Sequence, residues 1–364
     1  EAAVETTVAT DEGGVGGGGI ECHGAIVARP EDNGSPFSDL WFQHPGRNFH
    51  SSGTVDTRRS RIPGSGSKPS PSTWRRRGAT EIAFVVIEFL QGLLAGTPKI
   101  LALCAAGLAV EYLRPAEKNQ PASAVIFNGV WVINFIFMTN VLMLLVGKLV
   151  PLGIGALGGP LIKLDFGAGV LGGIGQFFLL LLLHDFFYYW FHRFQHTWAW
   201  FWAHHKLHHT EVHMNATTSF RHHWMENVYR IPFIFIPMGL VNIDGAYTVL
   251  VWDLALVWAV FTHLNMKVQL GPLTTVLAGP QFHRIHHSAL PEHWNRNFAA
   301  FFPVWDLLFG TSHVPRKGEF PPCGLSDGEE TRTLWQAHTG VFRDWYALWK
   351  GRSGRRAGAV AKTA

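Results

Sequence analysis

Histidines are concentrated in one part of the chain, at spacings that suit metal binding. The 364-residue sequence contains 20 histidines, and 15 of them lie between His184 and His293. Residues three or four apart share one face of a helix, so their imidazoles can point to a common place. This spacing occurs in three boxes, namely His192 with His196, His205 with His208 and His209, and His283 with His286 and His287. Eight histidines exceed the needs of one tetrahedral zinc ion, so the pattern predicts two metal ions.

Imidazole donors alone do not select the metal, because iron, zinc and copper all accept nitrogen ligands. One pair of histidines four residues apart is most often an exposed or a core pair. Three boxes that follow apolar segments favour a metal site instead.

The composition indicates a membrane protein. Hydrophobic residues make up 47% of the chain and charged residues only 15%, which is little charge for the surface of a soluble protein. The net charge of +4 is carried largely by the two ends, at 75–77 and 352–362. This distribution favours anionic lipid headgroups over nucleic acid, for which the sequence has no motif. The three cysteines form no CxxC pair, so we expect neither a disulfide framework nor a thiolate zinc site, and a reducing, cytosol-facing environment fits.

Apolar segments occupy the chain from residue 82 to residue 262. They lie at 82–95, 100–113, 125–149, 168–191 and 231–262. The first two are each shorter than the ~20 residues that cross a bilayer, so together they form either a re-entrant hairpin or one long kinked helix. The last contains a break at Asn242, Asp244 and Gly245.

The histidines also constrain the topology. Those before and after residues 231–262 must meet, so this segment is predicted to be a hairpin. The expected fold is all-α, with about four membrane passes and a histidine-rich metal-binding cap. If residues 82–113 also return, Arg75–Arg77, the histidines and the basic C-terminal end share one face. The positive-inside rule then places that face in the cytosol.

Three regions are expected along the chain. Residues 1–78 are rich in Gly, Ser, Pro and Thr and are predicted to be a mostly disordered tail, with no signal peptide at its start. Residues 79–315 are predicted to be the membrane-embedded domain, and residues 316–364 a cytosolic tail with a short amphipathic helix near Trp335–Trp349. The run His44-Pro45-Gly46 is similar to a haem-ligand motif of small b-type cytochromes. Without a folded domain around it, we interpret His44 as a loop histidine.

The histidine boxes resemble those of the fatty acid hydroxylase and sterol desaturase superfamily, which are integral-membrane lipid oxygenases. The matching stretches are HDFFYYWFHRFQH at 184–196, HKLHH at 205–209, HRIHH at 283–287, Asn297-Phe298, and WDLLFGT at 305–311. The resemblance covers roughly residues 100–315. Ala299 replaces the glycine that is usual after Asn-Phe.

The resemblance implies two further ligands. RHHWME at 221–226 is similar to a His-Pro-x-Glu segment and makes His223 a ligand, although Trp224 replaces the proline. A capping or interfacial role is the alternative for His223. The stretch FTHLN adds His263.

Several polar residues are expected to support the site without binding metal. His184 and Asp185 lie inside an apolar run, where ionisable groups are rare and usually functional. Asp185 is expected to orient a ligand imidazole by accepting its other N–H, and Glu211 and Glu226 to offset metal charge. Four histidines are left outside the ligand set, at positions 204, 213, 222 and 293.

The resemblance implies a di-iron centre that uses dioxygen and two electrons to hydroxylate an unactivated C–H bond of a lipid from the bilayer. A desaturase would use the same site, and zinc could replace iron in purified protein. The electrons would come from a separate small cytochrome, ferredoxin or reductase. The site would face the cytosol, at the endoplasmic reticulum in a eukaryote or the inner membrane in a bacterium.

A membrane metal transporter is the alternative from another class. It predicts ligands distributed through the depth of the spans. The boxes instead lie beyond the ends of the apolar runs, with only His184 clearly inside one.

Overall fold

A computed structural model of the chain describes residues 71–167, 169–242 and 245–351, with side chains from Ala83 onward except that of Asn242. The predicted disorder before residue 71, the His44 motif and the basic residues after 351 lie outside the described residues. The first helix begins at Pro71, inside the segment that was expected to be tail.

Four helices of the described chain are long and apolar enough to cross a membrane, as predicted. Their apolar parts are Ala83–Leu113, Ala122–Ala156, Val170–Thr197 and Gly245–Thr262. The corresponding helices are α1 (Pro71–Leu113), α2 (Ala122–Val146) with its continuation α3 (Leu149–Ala156), α4 (Val170–Thr197) and α8 (Gly245–Thr262). The outward surfaces of these helices expose large apolar side chains, such as Leu94, Leu145 and Leu171. A lipid environment satisfies such surfaces.

Helix α1 is continuous, with Pro98 inside it, so the long-helix alternative holds and the re-entrant hairpin is wrong. Its C-terminal end lies at the histidine end of the molecule, because Glu111 Oε1 accepts the backbone N–H groups of Ala216 and Asn265 at 2.7 and 2.9 Å. Arg75–Arg77 therefore lie at the opposite end of α1. The expectation that this triplet shares a face with the histidines is wrong, since it required residues 82–113 to return.

The hairpin predicted at residues 231–262 is confirmed, with a broken first arm. This arm consists of α6 (Glu226–Arg230), a π-helical turn (Ile231–Phe235) and α7 (Ile236–Gly239). Pro232 and Pro237 lack the N–H that a regular helix uses, which explains the irregular hydrogen bonding. The arm ends in β2 (Val241–Asn242), which pairs in parallel with β1 (Ile162–Lys163). Helix α8 then returns the chain to the histidine end.

The core between the spans forms where α4 packs against α8 and the broken arm. Leu180 and Phe191 of α4 contact Ile234 of the π-helical turn and Val251 of α8. These residues are almost fully buried. Their packing holds the end of α4 that carries His192 and His196.

Short elements cover the histidine end. They are α5 (Ala199–His209), α9 (Pro280–His286), α10 (Val304–Leu308), α11 (Leu334–Trp349) and 3₁₀ turns at Ala216–Phe220, Gly271–Thr275 and Pro291–His293. Helix α11 packs on α5, where Trp345 stacks on Trp200 with ring centroids 4.8 Å apart. The segment expected to be a tail is thus packed against the helix that carries HKLHH.

An ion pair joins α1 to α8 in the middle of both spans. Lys99 Nζ lies 2.9 and 2.8 Å from the two carboxylate oxygens of Asp253. Both side chains are nearly half exposed, at 42% and 46%, so they lie on the outer surface of the helix bundle. Charged groups at such depth are expensive unless they pair.

Candidate metal centre

Nine of the ten histidines predicted as ligands lie in two adjacent, buried groups. The first group contains His192, His196, His205, His209 and His286, and the second contains His208, His263, His283 and His287. Within each group, one ring nitrogen of every residue lies within 4.8 Å of the others. The three boxes and His263 thus supply two sets of converging imidazoles.

The nitrogen-to-nitrogen distances fit metal coordination. In the first group, His205 Nε2 lies 3.1 Å from His192 Nε2 and 3.3 Å from His209 Nε2. In the second, His263 Nε2 lies 3.2 Å from His208 Nε2 and 3.0 Å from His283 Nε2. Two nitrogens bound to one ion at ~2.1 Å are about 3.0–3.4 Å apart for angles between square and tetrahedral. The observed distances fall in this range.

Rings of the two groups pack against each other. The ring of His287 lies 4.4 Å from that of His208 in its own group and 4.4 Å from that of His209 in the other. Helix α5 supplies ligand candidates to both groups, because His205, His208 and His209, three of its four histidines, lie on adjacent positions of one helix face. Two ions held here would be close neighbours.

Backbone carbonyls fix the orientation of several rings. His192 Nδ1 donates to Phe298 O at 2.8 Å, and His286 Nδ1 donates to Arg296 O at 2.9 Å. His263 Nδ1 donates to Ala259 O at 2.7 Å. Because a carbonyl only accepts, Nδ1 carries the proton and Nε2 keeps its lone pair for the interior of the group.

Some buried ring nitrogens have no hydrogen-bond partner. His196 Nε2 and His286 Nε2 in the first group are both of this kind. Buried polar atoms are normally satisfied, and an ion is one way to satisfy a nitrogen that faces other nitrogens. The residues present therefore fit a transition-metal centre with imidazole ligands.

Burial keeps these rings neutral. It lowers the pKa of His263 and of His286 to about 3. Burial also lowers the pKa of His205 to about 4, although the neighbouring Glu226 carboxylate raises it. Neutral imidazole is the form that binds metals.

Glu226 lies directly behind the first group. Its Oε1 is 3.3 Å from His205 Nδ1 and 3.2 Å from His222 Nδ1, while Oε2 accepts from Gln195 Nε2 at 2.9 Å. Burial alone would raise the pKa of this carboxyl, but His222 and His205 outweigh it and hold the pKa well below the usual range. The ionised Glu226 orients His205 and places a negative charge beside the imidazoles.

The structure does not bring His223 to either group. Its Nδ1 accepts the N–H of Met225 at 3.3 Å, and its Nε2 lies 3.4 Å from the carbonyl oxygen of His338. The neighbouring His222 faces the centre instead, where its ring stacks on His208 with centroids 4.1 Å apart. The replacement of proline by Trp224 was the signal that the local turn differs.

Asp185 does not orient an imidazole as expected. Its carboxylate accepts the backbone N–H groups of Ala300, Phe301 and Phe302 at 2.7–2.9 Å. It therefore fixes the turn that follows Phe298, whose carbonyl holds His192. The effect of Asp185 on the metal groups is indirect.

The stretch WDLLFGT at 305–311 contains the other support of the same turn. Asp306 accepts the N–H groups of Phe298 and Ala299 at 2.8 and 2.9 Å and the hydroxyl of Thr311 at 2.6 Å. Asn297 has a positive φ of 59°, a conformation that asparagine tolerates better than most residues. Asp306 was not predicted as a site residue, although it lies within the WDLLFGT stretch that resembles the family.

Glu211 also differs from its expected role. Its Oε2 pairs with Arg221 Nη1 at 2.7 Å and accepts from Asn128 Nδ2 at 2.6 Å. Arg221 also donates to the carbonyls of Leu207 and Thr331. This buried network fastens the end of α5 to α2 rather than offsetting metal charge, and sequence spacing gave no signal for it.

His184 lies on the membrane side of the first group and belongs to neither group. It is 3% exposed, and its ring meets Trp252 edge to face at 4.9 Å. Its Nδ1 has no hydrogen-bond partner. The expected position, deeper than His192 and not among the ligand candidates, agrees with this placement.

Comparisons with known proteins agree with the geometry. The sequence profile described as fatty acid hydroxylase matches residues 177–311. An alkylglycerol monooxygenase of Xenopus tropicalis is 34% identical over 133 residues, covering 36% of this chain and 29% of the relative. The Homo sapiens alkylglycerol monooxygenase is 32% identical over 127 residues, covering 35% and 28%.

A bacterial relative matches over a somewhat longer stretch. An ornithine lipid hydroxylase of Rhizobium tropici is 27% identical over 151 residues, covering 42% of this chain and 46% of the relative. The matched parts thus span less than half of each of these relatives. No solved structure matches the chain.

The four long apolar helices and this family of membrane enzymes identify an integral membrane protein. All nine grouped histidines lie within the matched segment. The resemblance seen in the sequence is confirmed, because residues 177–311 match the fatty acid hydroxylase family.

Proposed function

We propose that the chain is a membrane-bound di-iron oxygenase that hydroxylates an unactivated C–H bond of a lipid. The observation that carries this proposal is the pair of adjoining, all-imidazole groups at one end of the membrane helices. A transporter would need ligands along the depth of the spans, whereas these nine histidines gather at a single level. The names of the relatives, which are lipid hydroxylases and monooxygenases, support the reaction class.

The two groups would each hold one ion. Bound iron supplies the activation of dioxygen with two electrons and the removal of a hydrogen atom from the lipid. The chain's own part is to keep nine imidazoles neutral, oriented and shielded from water. Glu226, behind His205, is the carboxylate nearest to the groups that contributes negative charge.

The substrate is proposed to approach from the bilayer along α4 and α8. Tyr188 lies next to the first group, with its ring 5.3 Å from that of His192. Trp252 and His184 follow on the membrane side. These aromatic side chains form an apolar approach toward the imidazoles, suited to an acyl chain or a sterol.

The proposals for the electron donor and for the membrane orientation both concern the histidine end of the molecule. We propose a separate donor, because the described chain contains no second cofactor-binding domain beside the histidines. Most basic residues of the described chain lie at the histidine end, although Arg75–Arg77 lie at the other. The proposal that the histidine end faces the cytosol therefore depends on the basic residues in the loops around the centre, by the positive-inside rule.

The test is metal analysis of the purified full chain, loaded with iron and examined by Mössbauer spectroscopy. We expect about two irons per chain, a coupled di-ferric signal and an oxygenated lipid in a mass-spectrometric product screen. His208→Ala should remove the coupled signal because it deletes a member of the second group. His213→Ala, which replaces a partly exposed histidine outside both groups, serves as the matched control.

A single tightly bound zinc, or iron binding that is equal in the wild type and His208→Ala, would refute the di-iron centre. A coupled signal with an alkene as the sole product would retain the centre and replace hydroxylation by desaturation.

A further inference from the structure

One cluster of side chains that could bind a metal shares no residue with the two groups. It consists of His293, His313 and Glu319, whose ligand atoms all lie within 4.8 Å of one another. His293 is 4% exposed, whereas the side chains of His313 and Glu319 are 26% and 21% exposed. His293 is thus buried, whereas the side chains of His313 and Glu319 are partly accessible to solvent, from which an ion could enter.

The carboxylate of Glu319 points one oxygen at both imidazoles. Its Oε1 lies 3.3 Å from His293 Nε2 and 3.2 Å from His313 Nε2. The other oxygen, Oε2, accepts the backbone N–H of Arg316 at 2.7 Å and lies 3.3 Å from His313 Nε2. The Arg316 contact fixes the plane of the carboxylate, so the direction of Oε1 is set by the backbone.

The second nitrogen of His293 is also fixed. Its Nδ1 lies 2.9 Å from Ser288 Oγ, and that hydroxyl oxygen already accepts the N–H of Leu290 at 3.1 Å. A ring held at Nδ1 in this way directs Nε2 at Glu319. Such an outer contact is typical of histidines that bind metals.

The distances are compatible with a shared ion as well as with hydrogen bonds. Both contacts of Oε1 are longer than the most common N–H···O distance of about 2.9–3.0 Å. Two ligand atoms that bind one zinc ion at ~2.0–2.1 Å with a tetrahedral angle lie about 3.3–3.4 Å apart. The 3.2 and 3.3 Å separations are close to this value.

We propose that His293, His313 and Glu319 form a separate mononuclear site for a divalent transition-metal ion of the zinc class. Two imidazoles and one carboxylate are a known donor set for zinc with an open fourth position. Here the partly exposed side of the cluster leaves that position to water.

The ion would join two segments that flank the main centre. His293 follows His287 by six residues, and His313 lies two residues after the WDLLFGT stretch at 305–311. His313 also exchanges hydrogen bonds with Asn297 through its N–H and carbonyl, at 2.7 and 3.0 Å. The bound ion would therefore hold the loop that begins with Asn297 and Phe298 in place over the first histidine group.

The experiment measures zinc binding to the iron-loaded full chain in detergent, by equilibrium dialysis with elemental analysis. The variants are His313→Ala and Glu319→Gln. Glu292→Gln is the matched control, since it removes the same charge from an exposed side chain beside His293. Retained iron in every sample shows that zinc has not replaced it.

We expect the wild type and Glu292→Gln to bind one zinc beyond the iron, and both site variants to bind it at least tenfold more weakly. Equal zinc binding by wild type and both site variants overturns the proposal. A Co²⁺ titration of the iron-loaded wild type needs no variant and should give visible absorption of a four- or five-coordinate ion at one equivalent. Absence of that absorption also overturns the proposal.

Discussion

Replacing Glu226 by glutamine tests how the first histidine group is held. The carboxylate accepts from His205 Nδ1 and His222 Nδ1 through Oε1 and from Gln195 through Oε2. A glutamine has one accepting oxygen, so its NH₂ group must face either an imidazole donor or the Gln195 amide. The substitution also removes a buried negative charge beside the imidazoles.

The expected magnitude follows from the role of such contacts. Loss of a residue that orients a metal ligand typically weakens binding by about 10–100-fold, or ~1.4–2.7 kcal/mol. Of the two histidine groups, His205 belongs to the first. We therefore expect Glu226→Gln to weaken one of the two metal ions selectively.

The assay is iron occupancy at a series of free Fe²⁺ concentrations, with Mössbauer spectra at each point. Glu330→Gln, at a carboxylate that is 32% exposed and lies outside both groups, is the control. The variant should pass through a one-iron state that the wild type does not populate. Loss of both irons together, or unchanged affinity for both, would show that Glu226 does not act through His205.

Further predictions concern the supports around the centre. Arg221→Met leaves the buried Glu211 carboxylate without its arginine and should lower the free energy of unfolding by about 3–5 kcal/mol. The double variant with Glu211→Gln should recover part of this loss. Thermal unfolding in detergent measures both effects. Asp306→Asn weakens the turn that holds His192, so iron affinity should fall about tenfold while the helix content by circular dichroism stays constant. His223→Ala should keep both irons, because the ring lies outside the groups; loss of iron in dialysis would contradict this placement. Burial would raise the pKa of Glu329, but Arg343 and Lys206 outweigh it and lower the pKa from its ordinary 4.5. The carboxylate thus stabilises the docking of α11 fully above pH 4.5 and loses this effect as the pH falls through the lowered pKa, which hydrogen exchange of α11 should report as lost protection.

Local spacing in the sequence was sufficient for most of the site. The boxes at His192, His205 and His283 lie on helices, where three- and four-residue intervals place side chains on one face. The requirement that these boxes meet also predicted the hairpin that ends at His263. Helical spacing therefore predicted the ligand candidates. The requirement that these candidates meet predicted the topology around them.

The predicted side-chain roles were wrong where contacts between residues far apart in the sequence determine the local structure. Asp185 was expected to contact an imidazole, but three N–H groups from residues 300–302 bind it. Their sequence separation of more than 100 residues leaves no local pattern. The choice between His222 and His223 depends on the turn around Trp224, where a one-residue difference redirects the side chain.

The first apolar segment shows a different kind of ambiguity. Pro98 and its polar neighbours are compatible with either a turn or a kinked helix. Contacts at the C-terminal end of α1 favour the helix, because they place Glu111 next to Ala216 and Asn265. Composition within the segment carried no information about those contacts.

The Lys99–Asp253 ion pair bears on the order in which the chain assembles during synthesis. The two residues are 154 positions apart, so α1 leaves the ribosome long before its partner charge exists. Charged groups at this depth are costly unless they pair, so the Lys99–Asp253 contact favours the packing of α8 against α1. Helix α8 ends at Thr262, directly before His263, so the helix that supplies Asp253 also carries a histidine to the second group. The ion pair thus couples the packing of the spans to the position of one of the grouped histidines.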